Sequence, residues 1–193
     1  MKKFLLILLL LTLCLCCVAA LADVAVTVYG ANGSERYSPG ILCDAGASVH
    51  CYSGPSTSNE LLGIWYADGN TTFRVLTLTY DFRNEPWVLT EIREGSISRV
   101  CGYVKASELN IPDENALVRE ASLYDLMDMQ CVSTGDGITC RIGPGKEYPN
   151  SSMQGRFQQG TILLNANGFA LVEAWDGSAS PSRIWIRMSD LIY

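Results

Sequence analysis

Apolar residues along this chain come in short runs, and residues typical of tight turns, such as Asp68-Gly69, separate the runs. In the last run Ile184, Ile186 and Met188 occupy every second position, which is the period-two pattern of a strand with one buried face. Three other segments are rich in strand-forming residues: 73–80, 87–92 and 169–174. Within residues 43–110 and 128–193 no stretch of a dozen residues keeps a helical period. The pattern therefore predicts an all-β chain built as small barrels or sandwiches.

The first 22 of the 193 residues have the order of a secretory signal. Lys2 and Lys3 precede a long apolar run, and the small-x-small triplet Ala-Leu-Ala at 20–22 stands directly before Asp23. This placement favours cleavage and export to the cell envelope or the medium. The alternative is a retained membrane anchor, because residues 4–22 carry no charge and approach the length that spans a bilayer.

The rest of the chain contains one pattern twice. Three pairs of segments align between the copies: 49–55 with 138–144, 87–91 with 169–173, and 103–109 with 185–191. We predict a leader strand or loop over 23–42, a first copy over 43–110 and a second copy over 128–193. The linker 111–127 begins like a helix at Pro112, although an extra strand is also open.

Five cysteines follow the signal, and four of them repeat with the copies. Cys43 and Cys51 are eight residues apart, and Cys131 and Cys140 are nine apart. In an exported chain this spacing favours two local disulfides. The other interpretation is that these cysteines are small buried apolar side chains. Cys101 is the residue left over and is expected to be an inert thiol.

Charge and motifs narrow the classes of function. Without the signal the chain has 12 Lys and Arg against 20 Asp and Glu, a net charge of −8 that disfavours nucleic acid. Beyond the predicted signal no Cys-x-x-Cys, His-x-x-x-His, calcium loop or phosphate-binding glycine loop is present, so we expect no metal and no cofactor. His50, the sole histidine, faces away from Cys51 and is expected to be solvated or locally bonded. A Cys-dependent hydrolase using Cys101 and His50 is the remote alternative to a protein without catalysis.

The repeated motifs resemble the bacterial SH3-like (SH3b) domain of secreted and wall-associated proteins. The motifs of the first copy are Cys-Tyr-Ser-Gly-Pro-Ser-Thr at 51–57, Gly69 with Thr72, Trp87, Gly-Tyr-Val at 102–104 and Leu109. Those of the second copy are Cys-Arg-Ile-Gly-Pro at 140–144, Gly160-Thr161, Phe169, Ile-Trp-Ile at 184–186 and Leu191. His50 and Tyr52 depart from the usual Asn and Arg, whereas Arg141 keeps the Arg. The resemblance implies two five- to six-stranded SH3-like β-barrels in tandem that bind peptide, often the peptide part of peptidoglycan.

Strand alternation aims a set of aromatic side chains at solvent, where they could line a groove for an extended peptide. The candidate binding residues are Tyr52, Trp65, Tyr66, Trp87, Tyr103, Arg141, Phe169, Trp175 and Trp185. Trp65 and Tyr66 are the best of these, because we place them in a loop after Gly63. The alternative for each ring is packing under a loop or against the neighbouring copy. The expected ligand is a cationic wall peptide; the competing hypothesis is an interaction or inhibitory module for an envelope protein.

Overall fold

The structure is a computed structural model, and it describes residues 24–30, 33–122, 126, 130–133, 137–152, 159–174 and 182–192. Strands make up 55% of these residues and no α-helix occurs among them, so the all-β prediction is confirmed. The predicted signal lies outside the described residues. No helix in the described ranges is long and apolar enough to cross a bilayer. The described strands are β1 Val26–Tyr29, β2 Glu35–Ser38, β3 Ile41–Ala45, β4 Ser48–Tyr52, β5 Leu61–Tyr66, β6 Thr71–Tyr80, β7 Pro86–Glu94, β8 Ile97–Lys105, β9 Leu109–Asn110, β10 Gln130–Ser133, β11 Gly160–Ala166, β12 Phe169–Ala174, β13 Ser182–Arg187 and β14 Leu191–Ile192.

The strands form two antiparallel sheets, and one of them curls into a half-barrel. The sheet of the first copy has the order β5-β4-β8-β7-β6-β3-β9. Its inner face carries a core that includes Val49, Phe73, Ile92 and Val104, each almost fully buried. A bulge between Val75 and Thr77 adds one residue to β6, so this strand serves the inner core and also the opposite face.

The sheet of the second copy is completed by the start of the chain. Its main path runs β13-β12-β11-β1-β2, and β10 joins through β11 and β14. Val28 of β1 lies opposite Leu164 of β11, and Val24, Val26 and Val28 are buried. The segment expected as a leader therefore supplies two strands to a sheet whose other described strands begin only at Gln130.

The pairing register repeats between the copies as the sequence alignment predicts. Leu89 lies opposite Tyr103 in the β7–β8 pair, and Leu171 lies opposite Trp185 in the β12–β13 pair. Each copy then makes a 3-10 turn, Ala106–Glu108 or Met188–Asp190, and a last short strand, β9 or β14. The segments that align in sequence therefore also occupy corresponding positions in the two sheets.

The linker begins with a 3-10 turn, Glu114–Ala116, in which the Asp113 carboxylate accepts a hydrogen bond from Asn115 N at 2.9 Å. After this turn the backbone runs beside β6: Leu78 N donates to Val118 O at 3.0 Å, and Glu120 N donates to Leu78 O at 2.9 Å. The helix suggested by Pro112 does not continue, because these backbone groups pair with a strand instead. This pairing carries Glu120 to the boundary between the two sheets.

The predicted disulfide of the first copy is not formed. Cys43 lies opposite Phe73 on β6, whereas Cys51 lies opposite Gly63 on β5. Both are free buried thiols, as is Cys101. Cys140 is also buried, while the side chain of Cys131 lies outside the described part. The structure therefore agrees with the alternative of small buried side chains.

Candidate functional site

The predicted aromatic groove divides into a buried set and an exposed set. Trp87 and Tyr103 have no exposed surface, Trp185 is 1% exposed and Phe169 is 6% exposed. The expectation that these four side chains face solvent is wrong. They belong to one hydrophobic cluster that also contains the core of the second copy, so they pack between the sheets.

Two contacts join the sheets at β8 and β13. Trp185 Nε1 donates to the carbonyl oxygen of Cys101 at 3.1 Å. Arg183 Nη1 donates to the hydroxyl of Tyr103 at 2.6 Å. The residue pairs correspond in the repeat, because Tyr103 matches Trp185 and Cys101 matches Arg183, although the bonded atoms differ. The two copies therefore pack against each other through corresponding strands.

A buried charge cluster lies beside this contact. Glu120 accepts hydrogen bonds from Thr77 Oγ1 at 2.6 Å, Tyr103 Oη at 3.0 Å and Arg183 Nη1 at 2.9 Å. Arg183 Nε also bonds Glu173 at 2.9 Å, and its guanidinium lies 4.8 Å from the Tyr103 ring centroid. Burial raises the pKa of the Tyr103 hydroxyl well above its usual value, so it stays protonated. The cluster joins the first copy, the linker and the second copy.

The Gly-Pro loop of the second copy is also part of the junction. Arg141 Nη1 donates to the backbone oxygens of Lys146 and Tyr148, at 3.2 and 2.7 Å, and so is held inside its own loop. The hydroxyl of buried Tyr148 donates to Glu91 Oε1 of the first copy at 2.8 Å. Sequence reasoning missed Tyr148 and Glu91, although Glu91 and its repeat equivalent Glu173 are both carboxylates within apolar strands.

The exposed set lies on the hairpin β4–β5 of the first copy. Leu61, Ile64 and Tyr66 are 46%, 43% and 64% exposed, and we call these three residues the β5 strip. Trp65 is half-buried on the other face of β5 and packs over Gly63. Trp65 and Tyr66 thus belong to a strand, not to the predicted loop.

The β5 strip lies at a sheet edge and on a single face. The order of the first-copy sheet begins at β5, so no described strand pairs with its outer side. Tyr66 lies opposite Ser48 and Ile64 lies opposite His50, which places the strip on the face away from buried Val49. Half-buried Tyr52 continues this face and meets Trp87 edge-on, with centroids 5.7 Å apart. The strip therefore combines apolar side chains with an unpaired backbone edge.

The surroundings of the strip are acidic. Between residues 37 and 73 the sequence has Asp44, Glu60 and Asp68 but no Lys or Arg. Glu108 adds a fourth carboxylate: its Oε2 accepts from His50 N at 2.6 Å, and its Oε1 lies 3.4 Å from His50 Nδ1. His50 is therefore in contact with Glu108, which lies 58 residues further along the chain. This side of the first copy suits a cationic ligand.

The described thiols lack the features of nucleophiles. Burial raises the pKa of Cys51 and of Cys101, and nearby carboxylates add to both shifts. The thiolate is the reactive form of cysteine, so these thiols are held in their inert form. Cys101 N donates to Ile142 O of the second copy at 2.7 Å, which makes Cys101 part of the junction. Trp175, the remaining predicted contact residue, lies outside the described residues.

Comparison with models of known protein families and with curated proteins finds no match to this chain.

Proposed function

We propose that this chain is a non-catalytic binding protein that recognises an extended peptide at the β5 strip. The observation that carries the proposal is the edge position of three exposed apolar side chains, Leu61, Ile64 and Tyr66. An exposed apolar edge strand is an aggregation hazard unless something pairs with it or protects it. A peptide that adds as a further strand satisfies the edge and places alternate side chains against the strip.

The charge around the strip supports a cationic peptide. Glu60 lies at the Leu61 end of the strip and Asp68 follows its Tyr66 end. Ser152 of the second copy donates to Glu60 Oε2 at 2.6 Å, so the strip begins at the junction of the copies. Free amines of the peptide part of peptidoglycan have the matching charge. The resemblance to SH3-like wall modules and the signal-like N-terminus support a site of action at the cell envelope.

We assign binding to the first copy. Its half-buried Tyr52 borders the strip, whereas Trp185, Phe169 and Arg141 of the second copy are committed to the junction or to their own loop. Among the described residues, the wall-peptide site therefore lies on the first copy.

Co-sedimentation with purified wall sacculi tests the proposal. We expect the wild type to pellet at low and moderate salt, and Tyr66→Ala to weaken pelleting, because loss of an aromatic anchor removes about 2 kcal/mol of binding. Ile64→Ser should act in the same direction. The matched control is Ile97→Ala, an exposed apolar residue in the β7–β8 turn region away from β5.

Absence of pelleting by the wild type at both salt concentrations would refute wall binding. Equal loss with Ile97→Ala would show that the strip has no special role. The competing class, an interaction module for an envelope protein, would then be tested with the same variants against envelope extracts.

A further inference from the structure

A second surface, distant in the sheet from the β5 strip, combines exposed aromatic rings with arginines. Phe82 is 80% exposed and Tyr80 is 39% exposed, and both lie at the turn between β6 and β7. We call this surface the arginine–aromatic patch, and its members are Arg36, Tyr80, Phe82, Arg83 and Arg119. It is formed by β2, the β6–β7 turn and the linker.

The turn that presents Phe82 and Arg83 is well defined by its own hydrogen bonds. The Asp81 carboxylate accepts from Arg83 N at 2.8 Å and from Glu85 N at 2.9 Å. Asn84 takes the left-handed conformation with φ 62°, a geometry that Asn tolerates better than most residues. The exposure of Phe82 is therefore a property of an ordered turn.

The arginines of the patch are held by rings and carbonyl groups. The Arg83 guanidinium lies 5.1 Å from the Phe82 centroid, and that of Arg119 lies 5.8 Å from the Tyr80 centroid. Arg36 donates to the backbone oxygen of Arg119. Among the described residues none of these three guanidinium groups pairs with a carboxylate. By contrast, four other side chains in the described part form ion pairs with carboxylates: Arg93, Arg99, Lys105 and Arg183.

We propose that the arginine–aromatic patch binds an acidic peptide segment of a partner protein. The guanidinium groups are flat forks that pair with carboxylates. Phe82 supplies an apolar anchor beside the Arg83 guanidinium, since aromatic and arginine side chains dominate binding energy in interfaces. The site is independent of the β5 strip and has the opposite charge preference.

A peptide fits this patch better than an anionic bilayer does. Charges more than about 8 Å away are largely screened at physiological salt, so a short peptide senses mainly local groups. These are the three arginines, the Asp81 carboxylate, which accepts from N–H groups of its own turn, and Glu85, which pairs with Lys105. The arginines are in excess. A bilayer faces a much larger part of a protein whose net charge without its signal segment is −8. Its attraction to the patch is then opposed by repulsion from the surrounding acids.

Binding of a random copolymer of glutamate and tyrosine to the immobilised full chain tests the proposal. We expect Phe82→Ala and the double variant Arg83→Gln, Arg119→Gln each to weaken binding about tenfold, which corresponds to the loss of one anchor or one ion-pair set. Lys146→Gln removes an exposed charge of the second copy and Ile97→Ala removes an exposed apolar residue, and both controls should stay within about twofold of the wild type. Urea unfolding of every variant should give the wild-type midpoint, because all the substituted side chains are exposed.

Three results would overturn the proposal. The first is copolymer affinity that is equal in the wild type and both patch variants. The second is poly-L-glutamate binding as tightly as the copolymer with no loss in Phe82→Ala, which would reduce the patch to charge alone. The third is tighter binding to vesicles containing phosphatidylglycerol than to the copolymer, together with a loss of vesicle binding, but not of copolymer binding, in the patch variants. This result would assign the patch to a bilayer.

Discussion

The two Gly-Pro loops have the same backbone and different surroundings. In the first copy Ser53 N donates to Glu60 O at 2.9 Å, and in the second copy the equivalent Ile142 N donates to Pro149 O at 3.1 Å. The side chains enclosed by the loops differ. A Cβ atom on Gly54 would meet the amide of Asn59, whereas one on Gly143 would meet the ring of Tyr148.

The difference between Tyr148 and Asn59 corresponds to the different surroundings of the two loops. Tyr148 is long enough to pass its own loop and reach buried Glu91 of the other copy. Asn59 is shorter, and its loop leads directly into the exposed strip on β5. The comparison teaches that a repeated module can use one copy of a surface for internal packing while the other copy remains open to a ligand.

The largest expected effect comes from breaking the buried charge cluster that joins the copies. Arg183→Met leaves the carboxylates of Glu120 and Glu173 buried without their cation, which should reduce the free energy of unfolding by about 3–5 kcal/mol. Urea unfolding followed by tryptophan fluorescence measures this loss. The control is Arg187→Met on the same strand, where the side chain is exposed and the change should be small. Equal destabilisation by the two variants would contradict the role of the cluster.

A moderate effect is expected at the loop contact. Tyr148→Phe keeps the ring but removes one of the donors to Glu91 Oε1, which also accepts from Arg93 Nε at 2.7 Å. Loss of a hydrogen bond to a charged group should reduce the free energy of unfolding by about 1.5–3 kcal/mol. Tyr37→Phe is the matched control, because Tyr37 is 68% exposed. If the second loop were as open as the first, both variants would unfold at the wild-type urea concentration.

The smallest effect is expected at the turn that follows the β5 strip. Asp68 accepts hydrogen bonds from Asn70 N and Thr71 N, and these lower the pKa of its carboxyl. The pKa of Asp68 is therefore lower in the folded chain than in the unfolded chain. The stabilisation that the Asp68 carboxylate contributes is complete above its unfolded pKa and is lost as the pH falls through its folded pKa. Asp68→Ala should therefore unfold at slightly lower urea than wild type at pH 7, and the difference should shrink in acid. A difference that grows in acid would contradict this sign.

The fold was partly accessible from the sequence because strand alternation and repetition are local signals. They predicted the all-β class, and the matched segments that end in Leu109 and Leu191 form the same strand and 3-10 turn. The pairing of β1 with β11 has no local signal, since Val28 and Leu164 are joined only in the folded chain. For the linker the sequence left a helix and an extra strand both open, and pairing with Leu78 decided its conformation after the turn Glu114–Ala116.

The site was less accessible because alternation assigns a side chain to a face without showing what covers that face. Trp185 and Ile186 point to opposite faces of β13, and both are buried. A stronger signal was present in β12, where the run from Phe169 to Ala174 is almost continuously apolar. Such a run indicates a strand covered on both faces and would have placed the second copy at a junction.

Hydrogen–deuterium exchange of the full chain, with and without soluble peptides released from wall sacculi, tests the central difference between the copies most directly. We predict slower exchange in the segment 61–66 when the peptides are present, because an added strand bonds the free edge of β5. The loop 142–149 should show no change, because it is already packed on the first copy. Protection confined to the second loop, or no protection in 61–66 at saturating peptide, would contradict the account.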